Sequence, residues 1–206
     1  MAKFKTGEFL DGLKADVEHI IESAEFFRNI DKSKMIYTPS ENQWSIVQIL
    51  EHLNGFTRHY LPIIQKAMTE KVTHKSGWFE TGFWGDILTK GIMPKNVYEV
   101  KNRTRTHNNF IFPNGLNVEK VVNEFIEQQQ EFIKLIDTAK YVNLNDVRVS
   151  TLMIKLVKLK LGDLLRYLVA HEQRHMIQAR NTLTALGVTT ESFPVLLDTK
   201  RIAALS

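Results

Sequence analysis

With 206 residues, 27 Lys and Arg against 23 Asp and Glu, and no cysteine, the chain is long enough to bury a core without staples and is expected to form a single domain over 1–206. The missing thiols exclude cysteine ligands, a cysteine nucleophile and disulfides, which fits a reducing compartment. A net charge of +4 favours anions only mildly, and without a signal-peptide core or a run approaching the roughly 20 apolar residues of a membrane span, a cytoplasmic protein with no membrane partner is expected.

Leu13, Val17, Ile20, Ala24 and Phe27 recur at steps of three and four and predict a first helix from Gly7 to Asn29. Ser45 followed by Gln48 reads as a capping box opening a second helix from Ile46 to about Thr69, with Ile46, Ile49, Leu50, Leu53 and Phe56 on its apolar face. His52 borders that face. His59 lies seven residues on and shares its side, but Tyr60 and Pro62 point to a bend at this end. Phe56 and His59 are therefore expected to line a pocket rather than to bind an ion.

The stretch 71–117 carries Gly77, Gly82, Gly85, Gly91, Pro94 and Pro113 and is far longer than a hairpin of antiparallel helices requires. Its Trp78, Phe79, Phe83 and Trp84 are too aromatic for a solvated linker and are expected to roof one end of the helices as packing. Val118, Val122, Phe125, Gln129, Phe132 and Ile136 mark a third helix between the turn Pro113-Asn114-Gly115 and the break Tyr141-Val142-Asn143. A fourth runs from Leu161 to Leu186 and ends at Gly187, a good C′ residue. The expected fold is all-α, a four-helix bundle. The long crossover between helices two and three permits these to run parallel, up-down-down-up.

In the fourth helix Leu161, Leu164, Leu168, His171, His175, Gln178 and Thr182 share one stripe, so histidines replace leucines on the buried face. Two imidazoles four residues apart sit one above the other on a helix, the spacing of metal ligands. Hydrogen bonding to neighbouring side chains is the alternative, since an unsatisfied buried polar group costs about 1–3 kcal/mol. His52 is the natural third member, because His19, His74 and His107 fall on polar stretches. Gln129 and Gln178 interrupt apolar stripes; each is a candidate to orient an imidazole or a bound thiol, or simply an amide bonded to a neighbouring helix.

The segment Trp44-Ser45 through His52-Leu53, and Leu161-Gly162-Asp163-Leu164 leading into His171-Glu172-Gln173-Arg174-His175, resemble motifs of the DinB/YfiT-like superfamily of metalloenzymes. The resemblance implies a four-helix bundle in which His52, His171 and His175 hold a divalent metal. It also implies activities seen among its members, thiol-dependent S-transferases and an isomerase that use bacillithiol or mycothiol, and hydrolases. Three neutral imidazoles suit zinc or nickel, with copper and iron also compatible, and three protein ligands leave positions open for water, a substrate or a low-molecular-weight thiol. A small-molecule substrate is expected, with a homodimer as a candidate assembly.

Two other functions compete. His171-Glu172-Gln173-Arg174-His175 also fits HExxH, the signature of zinc-dependent peptidases with glutamate as general base. The extended pattern wants glycine at 178 and histidine at 181, where this chain has Gln178 and Asn181, and the one candidate downstream ligand is Glu191. A non-catalytic binding protein is the third class. Lys95, Lys101, Arg103 and Arg105, and Lys155, Lys158 and Lys160, are too sparse for a nucleic-acid arm and are expected to be solvated.

Overall fold

The computed structural model of the protein describes residues 1–40, 43–70, 74–96, 99–100, 115–152, 154 and 156–197. Lys101, Arg103, Arg105, His107, Pro113, Asn114 and Lys155, singled out above, lie outside them. The described chain is predominantly helical: α1 (Thr6–Arg28), α2 (Lys32–Ile36), α3 (Ile46–Glu70), α4 (Phe83–Ile92), α5 (Val118–Ala139) and α6 (Leu161–Ala185). Two antiparallel pairs of three-residue strands complete it, β1 (Lys3–Lys5) with β2 (Trp78–Glu80) and β3 (Arg148–Ser150) with β4 (Lys158–Lys160). No helix among the described residues is long and apolar enough to cross a membrane.

Local chemistry explains the helix ends. Ser45 and Gln48 satisfy each other across the first turn of α3, Ser45 N donating to Gln48 Oε1 at 2.9 Å and Gln48 N to Ser45 Oγ at 3.3 Å. Asn117 caps α5 by accepting from Lys120 N at 3.0 Å. Gly187 takes φ +72° after α6, so its N–H reaches Thr184 O and the next N–H, of Val188, reaches Leu183 O, each at 3.0 Å. That pattern closes the helix as a Schellman motif. Pro62 sits inside α3 without ending it.

The apolar stripes read from the sequence form the core: Leu13, Val17, Ile20, Ala24 and Phe27 of α1 and Val122, Phe125, Phe132 and Ile136 of α5 are all buried. Cross-helix polar pairs fix which ends meet. Lys14 bonds Asp137 at 2.8 Å while Arg28 bonds Asn123 at 2.8 Å, so positions along α1 and α5 run in opposite order. Asn54 donates to Val121 O at 3.0 Å and Arg58 binds Glu124, so α3 and α5 advance in the same order.

Helix α6 is buried along every residue from Leu161 to Ile177, charged ones included. One side faces α1 and α3, and the other is covered by α4. The approach there is close: Gly82 N donates to Asp163 Oδ2 at 2.9 Å, and a Cβ on Gly85 would stand 2.2 Å from Asp163 Cγ. Gly162 leaves room for the Phe79 ring, which a Cβ would meet at 2.6 Å.

The aromatic roof expected from the insertion is smaller than its composition suggests. Phe79 is fully buried against Phe9, 4.8 Å between centroids, but Trp78, Phe83 and Trp84 are 48%, 63% and 47% exposed. Alternation along β2 is the reason Trp78 is exposed while Phe79 is buried, since neighbours on a strand point to opposite sides. Of the basic residues, Lys95 pairs with Glu99 and Lys160 donates to Glu80 O.

Candidate metal centre

The site forms where α3 meets α6. His52 enters from α3 and His171 and His175 from successive turns of α6, and the three present the same atom to a common point. His52 Nε2 stands 3.3 Å from His171 Nε2, which stands 3.1 Å from His175 Nε2. Two nitrogens each about 2.0–2.1 Å from a tetrahedral ion would be separated by roughly 3.3–3.4 Å. The spacing is therefore that of a chelating trio, and the donor set fits a divalent ion.

Protonation states agree. Burial, followed by the neighbouring charges of His175 and His52, holds His171 well below the ordinary imidazole value. Burial and His52 do the same to His175. Both rings are neutral near pH 7, the form that binds a metal. Gln178 Oε1 lies 3.0 Å from His175 Nδ1. An amide oxygen only accepts, so Nδ1 carries the proton and Nε2 presents its lone pair to the cluster.

Aromatic rings wall the trio. Phe56 lies 4.5 Å from His171 and 4.9 Å from His52 between centroids. Trp44 sits 4.9 Å from His52 and stacks on His175 at 6.1 Å, and Tyr167 stacks on His171 at 6.0 Å. Neither Trp44 nor Tyr167 was picked out as a site residue from the sequence. The available signal was weak: Trp44 directly precedes the cap residue, and Tyr167 is one turn before His171. His59 is absent from the cluster; it is half-buried against Tyr60, 4.9 Å between centroids, and burial lowers its pKa.

Of the two glutamines, Gln178 meets an imidazole while Gln129 takes the other role open to it, an amide bonded to a neighbouring helix. Gln129 Nε2 donates to Glu172 Oε1 at 2.9 Å rather than to an imidazole, because α5 meets α6 one residue past His171. Glu172 is 4% exposed, and burial lifts its carboxyl to about 8. Its Oε2 and Gln129 Oε1 both lack partners among the described residues, so a proton on Glu172 supplies a donor where the ionised acid has none. A cavity of about 10 Å³ lies beside Glu172 and His171, near the size of one water.

A family profile described as DinB superfamily matches residues 17–179. The chain belongs to the DinB superfamily. That match runs from the middle of α1 into the last two turns of α6 and includes all three histidines, and the DinB superfamily generally binds metal. No curated protein and no solved structure matches the chain.

Proposed function

We propose that His52, His171 and His175 hold one divalent metal, with zinc or nickel as the first candidates. The chain would be a metal-dependent enzyme that activates an external low-molecular-weight thiol for transfer to a small electrophile. The observation that carries this is the convergence of three imidazole Nε2 atoms within 3.1–3.3 Å of their neighbours in the trio. We further propose a single domain over 1–206 in which α1, α3, α5 and α6 make an up-down-down-up bundle, with the crossover between α3 and α5. It is supported by the parallel order of contacts between α3 and α5 and the opposite order between α1 and α5.

A bound divalent ion supplies Lewis acidity that draws a thiol or a water towards its conjugate base near neutral pH. The chain's own residues supply the rest. Gln178 fixes the tautomer of His175, and Trp44, Phe56 and Tyr167 exclude water around the rings. His175 is 8% exposed against 3% for His52 and 4% for His171, so a substrate approaches past His175 and Trp44. With no cysteine in the chain, the thiol comes from outside.

Hydrolysis, in which an ion held by the same three histidines would supply Lewis acidity to a water, stands second. A peptidase stands lower, because Glu172 is held by Gln129 and, with its value near 8, carries a proton at neutral pH instead of accepting one. Cobalt-substituted protein separates these. Titrated with a small thiol, it is expected to develop a sulfur-to-metal charge-transfer band that His175→Ala lacks and Glu172→Gln keeps. Peptide cleavage abolished by Glu172→Gln, with no band, would replace the thiol reading by the peptidase one.

A further inference from the structure

Helix α6 also walls a cavity on its far side. Positions on a helix turn by about 100° per residue, which places Arg166, Val169, Ala170 and Gln173 together and opposite His171 and His175. With β1, β2, α1 and α4 they enclose about 360 Å³, inside the range of small-ligand pockets. The space is apolar within and charged at its rim: Phe9, Leu13, Val169 and Ala170 are buried in its walls, whereas the side chains of Lys3, Lys5 and Glu8 are exposed. Each cation of the lining is already paired, Lys3 with Glu80 at 3.1 Å, Lys5 with Glu8 at 2.9 Å and Arg166 with Asp86 at 3.0 Å. Asp16, the other acid of the lining, is engaged as well. Arg166 Nε and Nη2 and Thr89 Oγ1 have almost no accessible surface and so open no polar contact into the cavity.

We propose that this cavity binds one neutral aromatic molecule of two fused rings. Volume sets the size: an apolar cavity of about 150 Å³ takes one benzene, so 360 Å³ has room for a second ring. Charge is selected against, because an ion entering an apolar space gives up its water and needs a counter-ion there, and the charges of the lining are taken up by one another. Aromatic character follows from the walls. Phe4, Phe9 and Trp78 bring three rings to the lining and Met93 a polarisable sulfur, and both kinds of group gain more from a ring than from an aliphatic chain.

The test is calorimetric titration of the full chain at pH 7 with 2-naphthol and, separately, with 2-naphthoate and 2-naphthylmethylamine, an anion and a cation of similar size. 2-Naphthol is expected to saturate at one per chain and to bind at least about tenfold more tightly than either ion. Trp78 lines the cavity, so tryptophan emission is expected to change along the same curve. Trp78→Phe, at a half-exposed position, is expected to remove that change while 2-naphthol still binds. Ala170→Leu, which takes up part of the space from the α6 side, is expected to weaken 2-naphthol. No saturable binding of 2-naphthol by the unaltered protein, or binding of either ion as tight as that of 2-naphthol, overturns the proposal without relying on any variant. So does an emission change that Trp78→Phe leaves unaltered, or 2-naphthol binding that Ala170→Leu leaves unchanged.

Discussion

Gln178→Leu is expected to weaken zinc binding about 10–100-fold, the usual cost of removing the group that orients a ligating histidine. Leucine keeps the volume of the side chain and removes the oxygen that stands 3.0 Å from His175 Nδ1. Without that acceptor the imidazole is free to carry its proton on Nε2, the atom that faces the cluster, and free to rotate. Both changes act before any ion arrives. His171→Ala removes a member of the trio outright and is expected to cost more. Competition against a chelator of known affinity measures the two, and an affinity for Gln178→Leu equal to that of the wild type would show that the ring is held by its aromatic neighbours alone.

Glu172→Gln is expected to flatten the pH dependence of stability in chelator-treated protein between pH 6.5 and 8. The folded carboxyl titrates near 8 against 4.5 for the free group. The folded state therefore keeps a proton that the unfolded chain has released, and this contribution is full below 4.5 and lost as pH rises towards 8. His171 and His175 act in the other direction: their depressed values withdraw stability as pH falls below 6.5. Asp163, lifted to about 6 by burial, is mostly ionised when the window opens and contributes only about 0.2 kcal/mol within it, equally in both proteins. Between pH 6.5 and 8 the Glu172 carboxyl withdraws about 1.6 kcal/mol, at 1.36 kcal/mol per unit while it stays protonated and half of that at its midpoint; the two histidines offset part of this equally in both proteins, and the glutamine variant lacks the loss. Urea midpoints across that range decide it, and parallel curves for the two proteins would show that Glu172 is ionised in the folded state.

The four long helices were legible because each carries an apolar stripe long enough to show its period, as with Leu13 to Phe27 in α1 and Val122 to Ile136 in α5. The histidine trio was legible for a related reason: polar residues on a leucine stripe stand out. What escaped has no such period. The strands are three residues long, α2 has five, and α4 lies in a glycine-bearing stretch whose glycines serve close approach to α6. The full burial of α6 was hidden by Asp163, Arg166, Glu172 and Arg174, which look solvated in one dimension. Three of these have partners far away in the chain: Gly82 for Asp163, Asp86 for Arg166 and Gln129 for Glu172. Gln129 illustrates the limit, since spacing placed it on the inner face of α5 without saying which α6 side chain it would meet.

The central claim is that His52, His171 and His175 bind one ion together, and metal content tests it most directly. Protein stripped with chelator, reconstituted with zinc and freed of excess should hold about one ion per chain by elemental analysis, and the triple variant His52→Ala, His171→Ala, His175→Ala should hold none. Tight stoichiometric zinc retained by the triple variant, or none taken up by the wild type, would contradict it.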